Sequence, residues 1–276
     1  MFELVQYYPM QSNISTKGET EFPKRIHLPQ CQSTNDEIQL LLAEGKDRLP
    51  EGFLLSTDYQ SAGRGQRGNR WESEPGQNLL FSLFLRPVFL EPVQAFRLSA
   101  CISLGLVRAL EAEIPAGDQD GLKLKWPNDL YFGDRKLGGM LIETVLSGNR
   151  IDRAIAGIGL NINQKELPPQ AISLREMLGR ELDREALLEK IHSSVMAEYR
   201  RLAEGGWQGI RSAYLSRLYR LARPAWYKLP DGSRFQALLK SVSEQGELIL
   251  LCRDGEKKFQ FKEVGFEVGG VEKAAE

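Results

Sequence analysis

The sequence predicts a mixed α/β fold, α+β in its segregation, followed by a small all-β module. Three observations carry that prediction. Between residues 25 and 221, stretches with a helical apolar period alternate with short strand-like runs, the mark of helices packed on a mixed sheet. From about Ala222 the texture changes to short alternating strands punctuated by Asp231-Gly232, Gln245-Gly246 and Asp254-Gly255, the pattern of a small β-barrel. The 276 residues are 42% hydrophobic and 26% charged, enough apolar material for a large core plus a small one. The chain divides into a lead-in (1–24), an α/β region (25–221), a barrel (222–268) and a tail (269–276).

Taken in order, Ser33-Thr34-Asn35 supplies a polar cap, Asp36 and Glu37 an acidic first turn, Ile38, Leu41 and Leu42 an apolar stripe, and Gly45 a terminator. Together they specify a short helix. Phe53–Thr57 and Leu79–Leu85 read as strands, the second ended by Arg86-Pro87. Pro92 opens a longer helix with Leu98, Ile102, Leu106, Ala109 and Leu110 in period. Strands are expected at Leu122–Trp126, Leu130–Phe132, Met140–Val145 and Ile151–Asn163, with turns at Gly133-Asp134 and Gly148-Asn149. Helices follow from Asp183 to about Ala203, and around Ile210, Ala213, Tyr214 and Leu218.

Composition excludes several classes. A formal net charge of -1 leaves no global basic field for nucleic acid. Cys31, Cys101 and Cys252 are odd in number and far apart, unlike a disulfide framework, and His27 and His192 are too few for a zinc site. The N-terminus lacks the regions of a signal peptide, and no apolar run is expected to approach membrane-spanning length. A reducing cytoplasm fits these features.

The densest chemical signal is Gly63-Arg64-Gly65-Gln66-Arg67-Gly68-Asn69-Arg70-Trp71. Its glycines would let backbone N–H groups converge, and its arginines offer forked donors to an anion. It is neither a Walker loop nor a dinucleotide fingerprint, and alone it reads equally as a solvated basic turn or an RNA patch. Two clusters add to it: Lys125-Trp126-Pro127-Asn128-Asp129 running into Arg135-Lys136-Leu137-Gly138-Gly139, and Gly157-Ile158-Gly159-Leu160-Asn161-Ile162-Asn163. Each taken singly is most economically a turn, a hairpin cation or a bulged strand.

In this order and spacing, with Ser33-Thr34-Asn35 and Asp58-Tyr59-Gln60 ahead of them, these motifs resemble those of biotin–protein ligases over about residues 25–268. The resemblance implies a class II synthetase-like catalytic domain with an SH3-like C-terminal barrel. It implies an enzyme that joins biotin and ATP, with Mg2+, into biotinyl-5'-AMP, then transfers biotin to a lysine of a biotin carboxyl carrier domain. Ser33, Thr34, Asn35, Gln60, Arg64, Gly65, Gln66 and Lys136 would hold biotin. Arg67, Arg70, Trp71, Lys125, Asn128 and Asn161 would hold the nucleotide. Lys136, Asp129 and Arg64 would serve the chemistry, Asp129 also meeting the metal. No DNA or membrane partner is expected, and a homodimer is left open.

Two departures stand out. Many members of the family carry arginine where Gln66 stands, and with only about 24 residues ahead of the α/β region no N-terminal DNA-binding domain, and so no repressor function, is expected. Lipoate–protein ligase is the alternative of similar logic, but it needs an apolar slot where Ser33, Thr34, Asn35 and Gln60 offer a polar one. An RNA module would want interleaved aromatics, and only Trp71 is present.

Overall fold

The computed structural model describes residues 24–44 and 49–267, and all of these but the side chain of Arg67. Gly45, most of the lead-in and the tail lie outside the described residues. A seven-stranded sheet forms the centre, in the order β1-β2-β3-β7-β6-β5-β4. Its strands are β1 (Arg25–Leu28), β2 (Phe53–Thr57), β3 (Leu79–Leu85), β4 (Leu122–Lys125), β5 (Asp129–Phe132), β6 (Arg135–Ser147) and β7 (Arg150–Leu160). Only β1 and β2 pair parallel; every other neighbour is antiparallel.

The alternation within β3 sorts the two faces. Phe81, Leu83 and Leu85 enter the core of α2 (Ala95–Glu111), α4 (Arg184–Ala203) and α5 (Trp207–Ser216). Phe84 joins Phe53, Leu55 and Ile155 under α1 (Thr34–Ala43), against Ile38 and Leu41. Asp183 caps α4 by accepting from the N–H groups of Glu185 and Ala186. A five-residue α3 (Leu174–Leu178), capped by Ser173 and ended by Gly179 at φ 67°, lies in the loop after β7.

The stretch Pro92–Glu111 corrects one expectation: it is long and apolar enough to cross a membrane by length and composition. Its apolar side chains are core, Leu98, Ile102, Leu106 and Leu110 being fully buried against the helices and sheet.

The C-terminal module is a five-stranded antiparallel sheet, ordered β11-β10-β9-β8-β12. Its strands are β8 (Pro224–Lys228), β9 (Arg234–Val242), β10 (Leu248–Cys252), β11 (Gly255–Phe259) and β12 (Gly265–Phe266). A closed barrel was expected; among the described residues the sheet is open. Its edges β11 and β12 do not pair, because β12 is only two residues long and is spent on β8. Rings rather than hydrogen bonds span the gap, with Phe259 on Phe235, Phe235 on Tyr227 and Tyr227 on Phe266 at 5.2–5.8 Å between centroids. The module shares the main core through Tyr227, Leu239, Val242, Leu248 and Leu250.

Candidate active site

A cleft of about 300 Å³ opens on the α1 face of the large sheet. It gathers Ser33, Thr34, Asn35, Gln60, Arg64, Gly65, Gln66, Arg70, Trp71, Lys125, Asn128, Asp129 and Lys136, residues from five separate segments of the sequence. Bare backbone makes the room. A Cβ on Gly157 would lie 2.5 Å from Asn35 Oδ1, one on Gly159 2.5 Å from the Trp71 ring, and one on Gly139 2.8 Å from Asp129 Oδ1. All three glycines floor the cleft, and side chains there would evict its polar residues.

One end is neutral. Ser33 stands at the N-cap position of α1 but makes no side-chain capping bond, so its buried hydroxyl is left to the cleft. Gln60 Oε1 accepts from Thr34 N at 2.8 Å. Ser82, on the site face of β3, lies 2.7 Å from Thr34 Oγ1 and 2.6 Å from Asn35 Oδ1.

The other end is charged. A β-bulge in the β5–β6 pairing, after Leu130, turns Lys136 onto the face of Gly139. Its Nζ comes 2.7 Å from Asp129 Oδ1 and 5.7 Å above the Trp71 ring. Lys125, cross-strand from Asp129, donates to Tyr131 Oη at 2.8 Å and sits over the Tyr131 and Phe266 rings. Burial lowers the Lys125 ammonium from its usual range to about 8; the Lys136 and Arg220 cations add to this, and Asp129 opposes it. Burial likewise pushes Tyr131 up to about 12.

Phe261, Val264, Gly265 and Phe266 close this end, so the C-terminal sheet is a wall of the cleft. Trp126 Nε1 ties the wall down by donating to Gly246 O at 2.8 Å. The sequence carried no signal for these four residues, because only the return of the chain after β11 brings them there. Glu143 was missed as well, reading as one more residue of a strand.

The Gly63–Trp71 loop differs from the expected anion nest. Three of its N–H groups are spent within it: Gly65 N on Asn69 O, Asn69 N on Gln66 O, Trp71 N on Gly63 O. Arg64 reaches Asp36 Oδ1 at 2.6 Å and Glu143 Oε2 at 3.0 Å, so its guanidinium is paired with carboxylates at the neutral end. Asn161 also departs from expectation, because it is not among the cleft-lining residues. Its amide donates to the carbonyls of Ile172 (3.2 Å) and Lys136 (3.4 Å), which positions the Lys136 backbone.

With the geometry in place, the likeness to known proteins is specific. The model of the biotin/lipoate A/B protein ligase family matches residues 28–161. The bifunctional ligase/repressor BirA of Escherichia coli is 32% identical over 234 residues, 81% of this chain and 68% of that protein. The chain belongs to this ligase family. BirA of Bacillus spizizenii is 30% identical over 219 residues, and the match spans 77% of this chain but only 65% of that relative's length. The structure of the Aquifex aeolicus biotin protein ligase in complex with biotin and ATP is 28% identical, with a TM-score of 0.73. It covers 90% of this chain and 100% of its own. The residues of the cleft fall on both sides of the family match's end, most of them within residues 28–161, and Phe261, Val264, Gly265 and Phe266 beyond it.

As for a metal, Asp129 is the sole carboxylate among the cleft-lining residues, and no cluster of three or more His, Cys, Asp or Glu ligands occurs among the described residues. One carboxylate does not make a resident metal cage. It does fit a magnesium ion that arrives with nucleotide phosphates, which supply most of its oxygens.

Proposed function

We propose that the protein is an ATP-dependent biotin–protein ligase, which forms biotinyl-5'-AMP and passes biotin to a lysine of a biotin carboxyl carrier domain. The observation that carries this reading is the joining of a neutral hydrogen-bonding end to a cationic end in one cleft. Biotin needs both: a planar ureido group at one end and a carboxylate at the other. A lipoyl group has no use for Ser33, Thr34, Asn35 and Gln60, because its dithiolane neither donates nor strongly accepts. The Aquifex protein, crystallised with biotin and ATP, supports the same choice.

In this reading the ureido group sits among Ser33, Thr34, Asn35 and Gln60, with Arg64, Gly65 and Gln66 closing over it. Lys136 releases Asp129 to meet the biotin carboxylate, and so screens two anions as the carboxylate attacks the α-phosphate. Arg70, Trp71, Lys125 and Asn128 face the nucleotide, while Asn161 acts through the backbone of Lys136. Asp129 would hold magnesium, which supplies charge neutralisation for the departing pyrophosphate. The mixed anhydride must be shielded from water, a task for the arginine–glycine loop and the Phe261–Phe266 wall. When the carrier lysine attacks the anhydride carbonyl, the amide forms as AMP leaves, and the proton that the amine must lose passes to Asp129 or is held by its charge on the way to AMP. Three free cysteines suit a reducing cytoplasm.

The test is incubation of the protein with labelled biotin, ATP, magnesium and a carrier domain, beside a carrier whose acceptor lysine is arginine. Label should enter only the first. Equal labelling of both, or none, would refute the transfer step.

A further inference from the structure

Glu143 lies outside every motif that marks the cleft, yet the neutral end converges on it. Its Oε2 accepts from Asn35 Nδ2 at 2.7 Å, Arg64 Nη2 at 3.0 Å and Gln39 Nε2 at 3.4 Å. A carboxylate only accepts, so Asn35 must turn its NH2 group toward Glu143 and its Oδ1 toward Ser82. Oδ1 also only accepts, which commits the single Ser82 proton to Asn35. Thr34 must then donate across the 2.7 Å contact to Ser82, in preference to the 3.2 Å contact with Gln60 Oε1. The polarity therefore runs Thr34 to Ser82 to Asn35 to Glu143. Thr34 Oγ1 is left with lone pairs for the cleft. Gln60, whose Oε1 is taken by Thr34 N, keeps its Nε2 as a donor.

We propose that Glu143 is a positioning residue that determines specificity by fixing this hydrogen-bond polarity. It makes the cleft present an acceptor at Thr34 and a donor at Gln60 to a ring that carries both N–H and C=O. The proposal rests on the reading of the cleft as a biotin site. In a buried network the wrong polarity leaves two acceptors facing each other, which discriminates more sharply than shape does.

The experiment measures affinity of the full chain for biotin and for its neutral, near-isosteric analogue in which the ureido ring is a cyclic carbonate. Wild type should prefer biotin by roughly 100-fold or more, since the analogue places oxygen against Thr34 Oγ1. Glu143→Gln, whose amide can offer either an oxygen or an NH2, should cut that preference at least tenfold. Glu143→Asp keeps an acceptor-only group and should retain most of it. Asp36→Asn removes a partner of Arg64 without touching Asn35, and should leave the preference intact. An unchanged preference in Glu143→Gln would overturn the proposal, as would an equal loss in Asp36→Asn, which would assign the effect to Arg64. Should Glu143→Gln fail to fold, Ser82→Ala breaks the same chain one link earlier and should show the same collapse. Absence of biotin binding by wild type would instead refute the reading of the cleft.

Discussion

At one end of the cleft, Thr34, Asn35, Gln60 and Ser82 hold one another through neutral hydrogen bonds; at the other, Lys125, Asp129 and Lys136 crowd three charges against aromatic rings. The difference shows which parts can move. Thr34, Asn35 and Ser82 are almost wholly buried, so any misplaced donor there carries its full desolvation cost. The Lys136–Asp129 pair has side chains 33% and 27% exposed, and such a pair contributes little to stability. Lys136 can therefore exchange Asp129 for a ligand carboxylate at small cost. On the proposed function, the neutral end recognises and the charged end rearranges.

Lys136→Met should sharpen that contrast most. Pyrophosphate release should fall by about 1,000-fold, because a charge that stabilises the transition state is gone, while biotin affinity falls far less steeply and the thermal midpoint changes little. Near-normal release would refute the role of Lys136. A biotin affinity that fell as steeply as the rate would break the separation of the two ends.

Lys125 tests the cost of crowding charge. Its fall from the usual 10.5 to about 8 means that holding the ammonium in the fold costs on the order of 3 kcal/mol. For a lysine lowered in the folded state, that cost is present in full below about pH 8 and is relieved as pH rises from about 8 toward 10.5. Lys125→Met should thus be more stable than wild type at pH 7, with the gain fading above pH 8, as urea midpoints across that window would show. A pH-independent difference would mean that Lys125 is not buried as a charge.

How far these two ends could be read from sequence differs for a physical reason. The neutral end was partly legible because Ser33, Thr34 and Asn35 are consecutive at a helix start, where polar residues are expected and an apolar stripe follows. Its anchors were not: Ser82 and Glu143 sit inside strands, and only the pairing of β3, β7 and β6 brings them to α1. At the charged end Lys125, Asp129 and Lys136 were visible through their motifs, but the Phe261–Phe266 wall depends on a chain return that no local pattern encodes. The same limit explains the Gly63–Trp71 loop, where glycine content said that N–H groups could converge but not that they would bond across the loop. The four-residue strand β1 and the five-residue α3 were too short to carry a period. By contrast Asp183, Pro92 and the Leu79–Leu85 run marked their elements closely, because caps and continuous apolar strands are local signals.

Two smaller effects refine the contrast. Gly157→Ala places a Cβ 2.5 Å from Asn35 Oδ1 and should weaken biotin binding roughly ten- to thirtyfold, with nucleotide affinity nearly unchanged, as calorimetry would show. Equal losses for both ligands would mean that the floor of the cleft is one unit. Gln66→Arg adds a charge-assisted donor at the cleft edge and should slow release of biotinyl-AMP, by only about three- to tenfold in so open a position. If Arg70→Ala speeds release, that arginine already supplies part of the charge; if neither variant alters it, charge at the loop does not retain the intermediate.

The central claim is that one cleft recognises a ureido ring at its neutral end and activates a carboxylate at its charged end. Its most direct test is ligand-dependent exchange of labelled pyrophosphate into ATP, run with biotin, with lipoate and with desthiobiotin, which keeps the ureido ring and carboxylate but lacks the sulfur ring. Biotin and desthiobiotin should both drive exchange and lipoate should not. Exchange driven by lipoate as well as by biotin, or by none of the three, would contradict the account.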